Sequence, residues 1–315
     1  MTQQQGPVEV EHEVTVNAPA AAVHELIADV ANWPRIFPPT VHAEEVERDG
    51  AEQRIRIWAV ANGEPKHWTS RRTLHADTLR VDFRQEVSAP PVAAMGGSWI
   101  IEPLGENACR VRLLHDYRAV DDDPGHLAWI GEAVDRNSRS ELAALKANAE
   151  LVTGSAGLLL SFEDTVQVDG SVKDVYDFLN EARLWSERLP HVASVRLEET
   201  TPGLQTLEMD TRTKDGSTHT TSSVRVCFPH ERIVYKQHVL PALMSLHTGY
   251  WQLTEHNGGV AVTSQHTVAV NTAAIASVLG PDADLAQART FIQNALSGNS
   301  RATLGHAQAY AEGRR

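Results

Sequence analysis

Cysteine is nearly absent from this sequence, and its scarcity excludes two kinds of protein. Only Cys109 and Cys227 occur in 315 residues, and they lie far apart in the chain. Two such cysteines supply neither a disulfide framework nor a zinc site, and this usage is typical of a reducing compartment. We therefore expect a cytoplasmic protein that has no structural disulfide and no bound metal.

Long apolar runs and an excess of positive charge are also lacking. No stretch is long and apolar enough to span a bilayer, and residues 1–10 show no basic segment followed by an apolar one, so we expect no secretory signal. The net charge of −13 argues against nucleic acid or an anionic membrane as the main partner. An apolar content of 42% is nevertheless typical of a globular protein, and the length suffices for two ordinary cores.

What the sequence does contain is one pattern that occurs twice, about 152 residues apart. Trp33 and Pro38 fall on Trp185 and Pro190. Four further pairs keep this spacing: Val23 and Val175, Gln85 and Gln237, Gly97 and Gly249, and Trp99 and Trp251. Because solenoid repeats recur every ~20–50 residues, so long a period indicates tandem domains. The domains are predicted at 1–152 and 153–315, with the link near Thr153–Gly157.

The predicted elements follow the same order in both copies. A valine-rich strand at 8–17 precedes a helix opened by Pro19 and, after several strands, a long helix at about 126–150. The intervening strands are predicted at 41–49, 51–61, 65–75, 79–87, 97–104 and 109–120. The second copy starts at Ser161 and ends in a helix at about 283–312. This order predicts an α+β fold, in which a curved antiparallel sheet wraps around the long C-terminal helix and encloses a cavity.

Strand alternation predicts which polar residues face each cavity. Trp68, Ser70 and Arg72 share one face of their strand, whereas Arg71 lies on the other. Ser223 and Arg225 occupy the matching positions in the second copy. Two adjacent arginines on a strand, such as Arg71 and Arg72, more often mark a solvent-exposed edge. Here, however, an arginine occurs at the same position of both copies, as Arg72 and as Arg225. We expect both arginines to point inward.

A histidine is predicted on the same apolar face of the last strand of each copy. His115 alternates with Val111, Leu113 and Tyr117, and His266 falls on His115 after a one-residue gap. A lone histidine beside apolar residues is commonly a hydrogen-bonded core residue. It can also exchange a proton near neutral pH.

A carboxylate on the last helix distinguishes the two copies. Glu141 lies about 20° from Val134 on the helical wheel, within the apolar stripe, so it should face the sheet. The run that contains it aligns with the second final helix so that Thr303 stands at the position of Glu141. The alternative is that Glu141 is a helix-surface residue just outside its stripe.

Arginine, serine, histidine and glutamate converging on an apolar cavity favour acid–base chemistry on a carbonyl compound. A buried guanidinium needs a partner, and an enolate or carbonyl oxyanion is a suitable one. The sequence has no metal cluster, glycine-rich phosphate loop or serine-hydrolase elbow. The chemistry is therefore expected to run without a cofactor, as aldol-type ring closure, dehydration or enolisation.

Several ordered motifs resemble the polyketide aromatase/cyclases, which share the helix-grip fold of START and Bet v 1 proteins. The doubled arrangement is similar to the di-domain members that serve bacterial type II polyketide synthases in antibiotic biosynthesis. The motifs that carry the resemblance are Trp33–Thr40, Trp68–Arg72, Met95–Trp99, His115–Tyr117, Asp135–Ser138, His219–Thr221 and Tyr235–Gln237.

The resemblance implies closure of the first ring of a carrier-bound poly-β-ketone between carbons 7 and 12, with loss of water to aromatise it. It leaves open whether carbon 9 has been ketoreduced beforehand. The implied catalytic set is Arg72, His115, Glu141 and Ser70 in the first copy, and Arg225, His266 and Ser223 in the second. The residues expected to contact substrate are Trp33, Phe37, Trp68, Met95, Trp99, Tyr117, His219, Tyr235, His238, His247, Trp251 and Thr303.

The implied partners are an acyl carrier protein, with its phosphopantetheine-linked polyketide, and the ketosynthase and ketoreductase of the synthase. Because carrier proteins are generally acidic, a basic patch is expected near a cavity mouth. The candidates for it are Arg35, Arg71, Arg183, Arg188 and Lys236. A second class of function stays open, since helix-grip proteins often carry hydrophobic ligands without catalysis.

Overall fold

The computed structural model describes residues 6–61, 63–154, 157–212, 216–256 and 258–314. The chain divides into two compact units, Met1–Ala156 and Gly157–Arg315, close to the boundary that the repeat predicts. The predicted link at 153–157 includes residues 155 and 156, which lie outside the described residues. No helix among the residues described is both long and apolar enough to cross a membrane.

The first unit is one seven-stranded antiparallel sheet with a long final helix. Its strands are β1 (Val8–Val16), β2 (Thr40–Asp49), β3 (Glu52–Ala61), β4 (Glu64–His75), β5 (Arg80–Gln85), β6 (Val92–Gly105) and β7 (Ala108–Ala119). Its helices are α1 (Ala20–Ala28), α2 (Trp33–Ile36) and α3 (Pro124–Gly154). The sheet order is β1-β7-β6-β5-β4-β3-β2, with a meander from β2 to β7 and β1 closing beside β7.

One strand differs from the sequence prediction. β6 begins at Val92, five residues before the predicted start at 97. The added segment contains two alanines and a glycine, residues with little intrinsic preference for strands. It is a strand because it pairs with β7, with Val92 opposite Ala119 and Met95 opposite Tyr117.

The second unit repeats this architecture. Its strands are β8 (Leu159–Val168), β9 (Val192–Thr201), β10 (Leu204–Arg212), β11 (Thr218–Phe228), β12 (Arg232–Val239), β13 (Met244–His256) and β14 (Gly259–Val270). Its helices are α4 (Val172–Asn180), α5 (Trp185–Arg188), α6 (Ile275–Leu279) and α7 (Leu285–Glu312). The sheet order is β8-β14-β13-β12-β11-β10-β9, the same as in the first unit. The predicted α+β helix-grip fold is therefore confirmed for both units.

Each core lies between the concave face of a sheet and its helices. In the first unit Ile27 of α1 and Leu145 of α3 pack with Trp99 and Leu113 from the sheet. In the second, Leu179 of α4 takes part in the corresponding cluster. The apolar stripes of the helices and the alternation of the strands bring these side chains together. Cys109 and Cys227 are buried free thiols.

Candidate active site

The concave face of the first sheet and α3 enclose a cavity of about 490 Å³, a size typical of small-molecule sites. Most of its wall is apolar. Five of the residues predicted to contact substrate line it, namely Trp33, Phe37, Trp68, Met95 and Trp99. Four polar residues of the predicted catalytic set also line it: Ser70, Arg72, His115 and Glu141. Strand alternation for Ser70, Arg72 and His115 and the helical wheel for Glu141 therefore placed these side chains on the correct faces.

Arg72 is buried and its charge is held by the end of a helix. Its Nη1 donates to the carbonyl of Ile27 at 3.0 Å, and its Nη2 to that of Ala28 at 2.6 Å and to Gln53. The last carbonyls of α1 lack helical partners and carry the negative end of the helix dipole, so they suit a cation. Burial lowers the pKa of Arg72 to about 10, which leaves it charged at neutral pH. Its Nε is buried and has no protein partner.

Arg225 repeats this arrangement in the second unit. Its Nη2 donates to the carbonyl of Leu179 in α4 at 2.7 Å, while its Nη1 is buried without a partner. Each guanidinium also lies over an indole ring at 5.3 Å, Arg72 over Trp33 and Arg225 over Trp185. The inward orientation fits the expectation from the sequence, and each guanidinium is also hydrogen-bonded to the end of a helix, Arg72 through two backbone carbonyls and Arg225 through one.

The two predicted serines lie beside these arginines. Ser70 is buried, and its hydroxyl donates to the carbonyl of Arg84 on β5 at 2.9 Å. Ser223 is also buried and stands opposite Gln237 in the β11–β12 pairing. Ser70 is therefore satisfied by the sheet itself.

His115 is a neutral imidazole in the cavity wall. Burial lowers its pKa to about 4. Its Nδ1 lies 3.3 Å from the hydroxyl of Ser138 on α3, and the ring of Phe83 meets it edge-on, with the ring centres 5.5 Å apart. A neutral imidazole can accept a proton during a reaction, so His115 is suited to act as a base.

Glu141 is the acid of this cavity. Its carboxyl has no hydrogen-bond partner among the described residues, and burial raises its pKa to about 7. A carboxyl held in an apolar environment stays protonated closer to neutral pH than it would in water. Glu141 can thus donate a proton where an alkoxide forms.

Tyr117, in contrast, does not line the cavity. It is buried in a cluster with Ile130 and Val134 of α3. Its hydroxyl lies against Gly131, where a side chain would not fit. Tyr117 packs behind the wall, and the sequence pattern could not separate this position from that of His115, two residues earlier on the same face.

The second unit contains a buried chain of hydrogen bonds centred on His266. Nδ1 of His266 lies 2.9 Å from Nε2 of His247 and 2.9 Å from the hydroxyl of Tyr235. On its other side, Nε2 lies 2.7 Å from the Ser300 hydroxyl and 3.2 Å from that of Ser264.

Gln237 closes this chain at the opposite end. Its Oε1 lies 2.9 Å from Nδ1 of His247. Burial lowers the pKa of His247 to about 3 and that of His266 to about 4, so both rings are neutral. Burial also raises the pKa of Tyr235, which keeps its phenol protonated.

Sequence reasoning missed Ser264 and Ser300 as members of this chain. Ser300 falls on Ser138, and both serines lie beside the histidine of their unit. The signal was present, because the run Asn-Ser-Arg recurs in both final helices. The sequence alone does not show that the serine of this run faces the last strand of its unit, where the histidine lies.

The other predicted residues of the second unit lie apart from this chain. Trp251 packs in the main core, and the hydroxyl of Thr303 donates to the carbonyl of Asn299 in its own helix at 3.0 Å. His219 is half-buried and stands opposite Thr211 on β10. His238 is exposed, and alternation along β12 places it on the face opposite Tyr235 and Gln237, which is the physical reason that it does not join them.

The residues predicted to form a basic patch do not all lie on the surface. Lys236 is buried, so it cannot form part of a surface patch, and this prediction was wrong. Arg71 pairs with Glu86 at 3.0 Å, Arg188 with Glu181 at 2.8 Å, and Arg35 bonds to Asn32. Arg183 is exposed. The exposed cation that lines the cavity of the first unit is Lys66.

A second concavity of about 690 Å³ lies on the outer face of the first sheet. It is more open, and two ion pairs lie in its wall, between Arg80 and Asp82 at 2.7 Å and between Arg84 and Asp116 at 2.8 Å. We assign the site to the smaller cavity because its walls are apolar and its carboxyl is unpaired. Among the described residues, no group of three His, Cys, Asp or Glu side chains is placed to hold a metal ion.

Comparison with known proteins gives matches over both units. Residues 7–150 and 168–291 match two families that are both described as polyketide cyclase / dehydrase and lipid transport. A granaticin polyketide synthase bifunctional cyclase/dehydratase of Streptomyces virginiae is 53% identical, over 93% of this chain and 97% of the relative. The actinorhodin polyketide synthase bifunctional cyclase/dehydratase of Streptomyces coelicolor is 47% identical, over 97% and 98%.

Two solved structures resemble the whole chain. The di-domain ARO/CYC BexL from the BE-7585A biosynthetic pathway is 63% identical, with a TM-score of 0.92, over 97% of this chain and 99% of its own. The di-domain ARO/CYC StfQ from the steffimycin biosynthetic pathway is 35% identical, with a TM-score of 0.88 and the same coverage.

Proposed function

This chain belongs to the polyketide cyclase/dehydrase family, and we propose that its first unit closes the first ring of a carrier-bound poly-β-ketone between carbons 7 and 12. The observation that carries this proposal is the apolar cavity that holds a neutral imidazole, His115, and an unpaired carboxyl, Glu141, whose pKa lies near 7. An aldol closure needs a base and an acid in one dry chamber.

The proposed reaction uses the groups of this cavity in order. His115 accepts a proton from a methylene that is flanked by two carbonyls, and the resulting enolate carbon attacks a ketone carbon to form the new carbon–carbon bond. The ketone oxygen takes the proton of Glu141 and becomes a hydroxyl. Proton return from His115 to Glu141 through the product or water restores both groups. Arg72 holds the end of α1 in the cavity wall and places positive charge near the developing oxyanion.

The second unit is proposed to carry out the loss of water that aromatises the ring. It lacks the carboxyl of Glu141, and instead has the buried chain around His266. Dehydration is an acid–base reaction that requires no further carbon–carbon bond. The work is therefore divided, with ring closure in the first unit and dehydration in the second.

An acyl carrier protein is proposed to deliver the substrate, in the cytoplasm and together with the ketosynthase and ketoreductase of the synthase. The cavity of the first unit is lined by two residues that are also substantially exposed, Val87 at 77% and Trp129 at 47%. Lys66 is an exposed cation at the same cavity. We propose that the phosphopantetheine arm enters the cavity beside Val87 and Trp129, and that Lys66 binds its phosphate.

The test is a polyketide synthase reaction reconstituted with and without this protein. Glu141→Gln removes the acid of the cavity, and Glu132→Gln makes the same change at an exposed position of α3. We expect wild type and Glu132→Gln to give the carbon 7–12 ring, and Glu141→Gln to form it about 10²-fold more slowly, with other cyclisation products in its place. Substrates with a ketone and with an alcohol at carbon 9 are compared in parallel.

Two outcomes would contradict the proposal. A product profile that does not change when the protein is added would indicate a non-catalytic binder of hydrophobic ligands. Equal rates of ring closure by Glu141→Gln and Glu132→Gln would show that the carboxyl of Glu141 takes no part in the reaction.

A further inference from the structure

The two units differ around the histidine that they share. Phe83 meets His115 edge-on in the first unit, and Tyr235 holds the matching position beside His266; His247, which also contacts His266, holds the position of Met95. Ser264 stands at the position of Leu113, so three apolar residues of the first unit are replaced by hydrogen-bonding residues in the second. A polar group in a core is costly unless it is paired, and every member of this set is paired.

The direction of the hydrogen bonds follows from Gln237. Its Oε1 can only accept, so Nδ1 of His247 must carry the proton between them. Because His247 is neutral, its Nε2 is bare and accepts from Nδ1–H of His266. Nε2 of His266 is then bare in turn and accepts from Ser300, which accepts from Ser264.

This direction leaves the proton of Tyr235 unused. The one hydrogen on Nδ1 of His266 is shared between Nε2 of His247 and the phenol oxygen, each 2.9 Å away, so the phenol oxygen accepts there and its own hydrogen points elsewhere. His247, His266, Ser264 and Ser300 are buried, whereas Tyr235 keeps part of its surface accessible. Tyr235 is thus the member of the chain that can offer a proton to a bound molecule.

We propose that Tyr235 donates the proton for dehydration, and that Gln237, His247 and His266 fix Nδ1–H of His266 on its oxygen. This inference rests on the proposed function and names the group that performs its second step. The substrate is the enol of the cyclised β-hydroxy ketone.

In this step the carbon–oxygen bond breaks, and the leaving oxygen takes the Tyr235 proton and departs as water. The electron pair of the enol double bond shifts to form the new carbon–carbon double bond. The electron pair of the enol O–H bond forms the carbonyl, and the enol proton is transferred to the phenolate of Tyr235. Nδ1–H of His266 stabilises that phenolate while it exists, which is the role of a preorganised donor.

The first unit itself supplies the test variants. Tyr235→Phe and His247→Met install the residues found at the matching positions of the first unit, where Phe83 meets His115 edge-on and Met95 packs in a cluster with Tyr117. In the reconstituted synthase we expect Tyr235→Phe to slow dehydration about 10²-fold and His247→Met about tenfold. The cyclised hydroxy ketone should accumulate, with ring position and rate of ring closure unchanged.

A second measurement uses the wild-type protein and needs no variant. Nitrogen-15 NMR of labelled histidines should show both His247 and His266 as neutral Nδ1–H tautomers. An Nε2–H tautomer at His266 would overturn the proposed direction of the chain.

The outcomes separate this inference from the function on which it rests. Dehydration by wild type that is unchanged in Tyr235→Phe would overturn the role of Tyr235 alone. A wild-type protein that never dehydrates its cyclised product would instead refute the proposed function of the second unit. Altered ring position in Tyr235→Phe would show that the two units do not divide the work.

Discussion

Arg72 and Arg225 show how far single residues can be read from the sequence. Alternation along their strands predicted that both point inward, and both are buried. It could not predict that the carbonyls of Ile27, Ala28 and Leu179 would accept hydrogen bonds from these guanidinium groups, because the end of a helix is brought to the strand only by the tertiary fold. We therefore regard these arginines first as anchors of α1 and α4, which also supply positive charge to the site.

Glu141 should make the stability of the protein depend on pH. Its pKa is raised from 4.5 to about 7 in the folded state. The unfolded chain loses this proton first, so native stability falls as the pH rises from about 4.5 to about 7, by up to about 3 kcal/mol. Glu141→Gln removes this pH-dependent loss of stability, because glutamine does not ionise. The melting temperature of Glu141→Gln minus that of wild type should therefore be larger at pH 8 than at pH 5.

Thermal unfolding of wild type, Glu141→Gln and Glu132→Gln at both pH values checks this prediction. Glu132→Gln, on the exposed side of the same helix, should follow wild type at both. A melting difference between Glu141→Gln and wild type that is the same at pH 5 and pH 8 would mean that the carboxyl is not desolvated.

At the scale of elements, one glycine in each sheet allows an aromatic ring to reach the histidine. Gly97 stands between Phe83 and His115 in neighbouring strands, and Gly249 stands between Tyr235 and His266. The repeat identified both glycines as landmarks, but the spacing alone did not reveal the reason. A Cβ at Gly249 would lie 2.1 Å from the carbonyl oxygen of Gln265 and 2.7 Å from the hydroxyl of Tyr235.

Gly249→Ala should therefore destabilise the second unit by about 1–3 kcal/mol, because backbone as well as a side chain must move. Gly298→Ala is the matched control, since Gly298 is exposed in α7 with nothing within 4 Å of an added Cβ. Alanine favours a helix, so this control should stabilise by up to about 1 kcal/mol. Denaturant unfolding of the two variants gives the comparison, and effects of the same sign would contradict the packing described.

At the scale of the whole molecule, the repeat carried most of what the sequence could predict. The order of elements, the two sheets and the inward faces follow from periodicity and turn residues, and these are local properties. The number of residues between matching positions of the two copies grows from about 152 to 162 before the last helix. The added residues include α6, a helix absent from the first unit. The chain around His266 could not be foreseen, because it depends on side-chain contacts between three strands and the final helix that strand alternation alone does not specify.

The central claim is that ring closure takes place in the cavity of the first unit, between His115 and Glu141. The most direct measurement is a crystal structure of the protein with a stable mimic of the carrier-linked poly-β-ketone. We expect the mimic to occupy that cavity, with the carbonyl that corresponds to carbon 7 within hydrogen-bond distance of Glu141. A mimic bound elsewhere while this cavity stays empty would contradict the account.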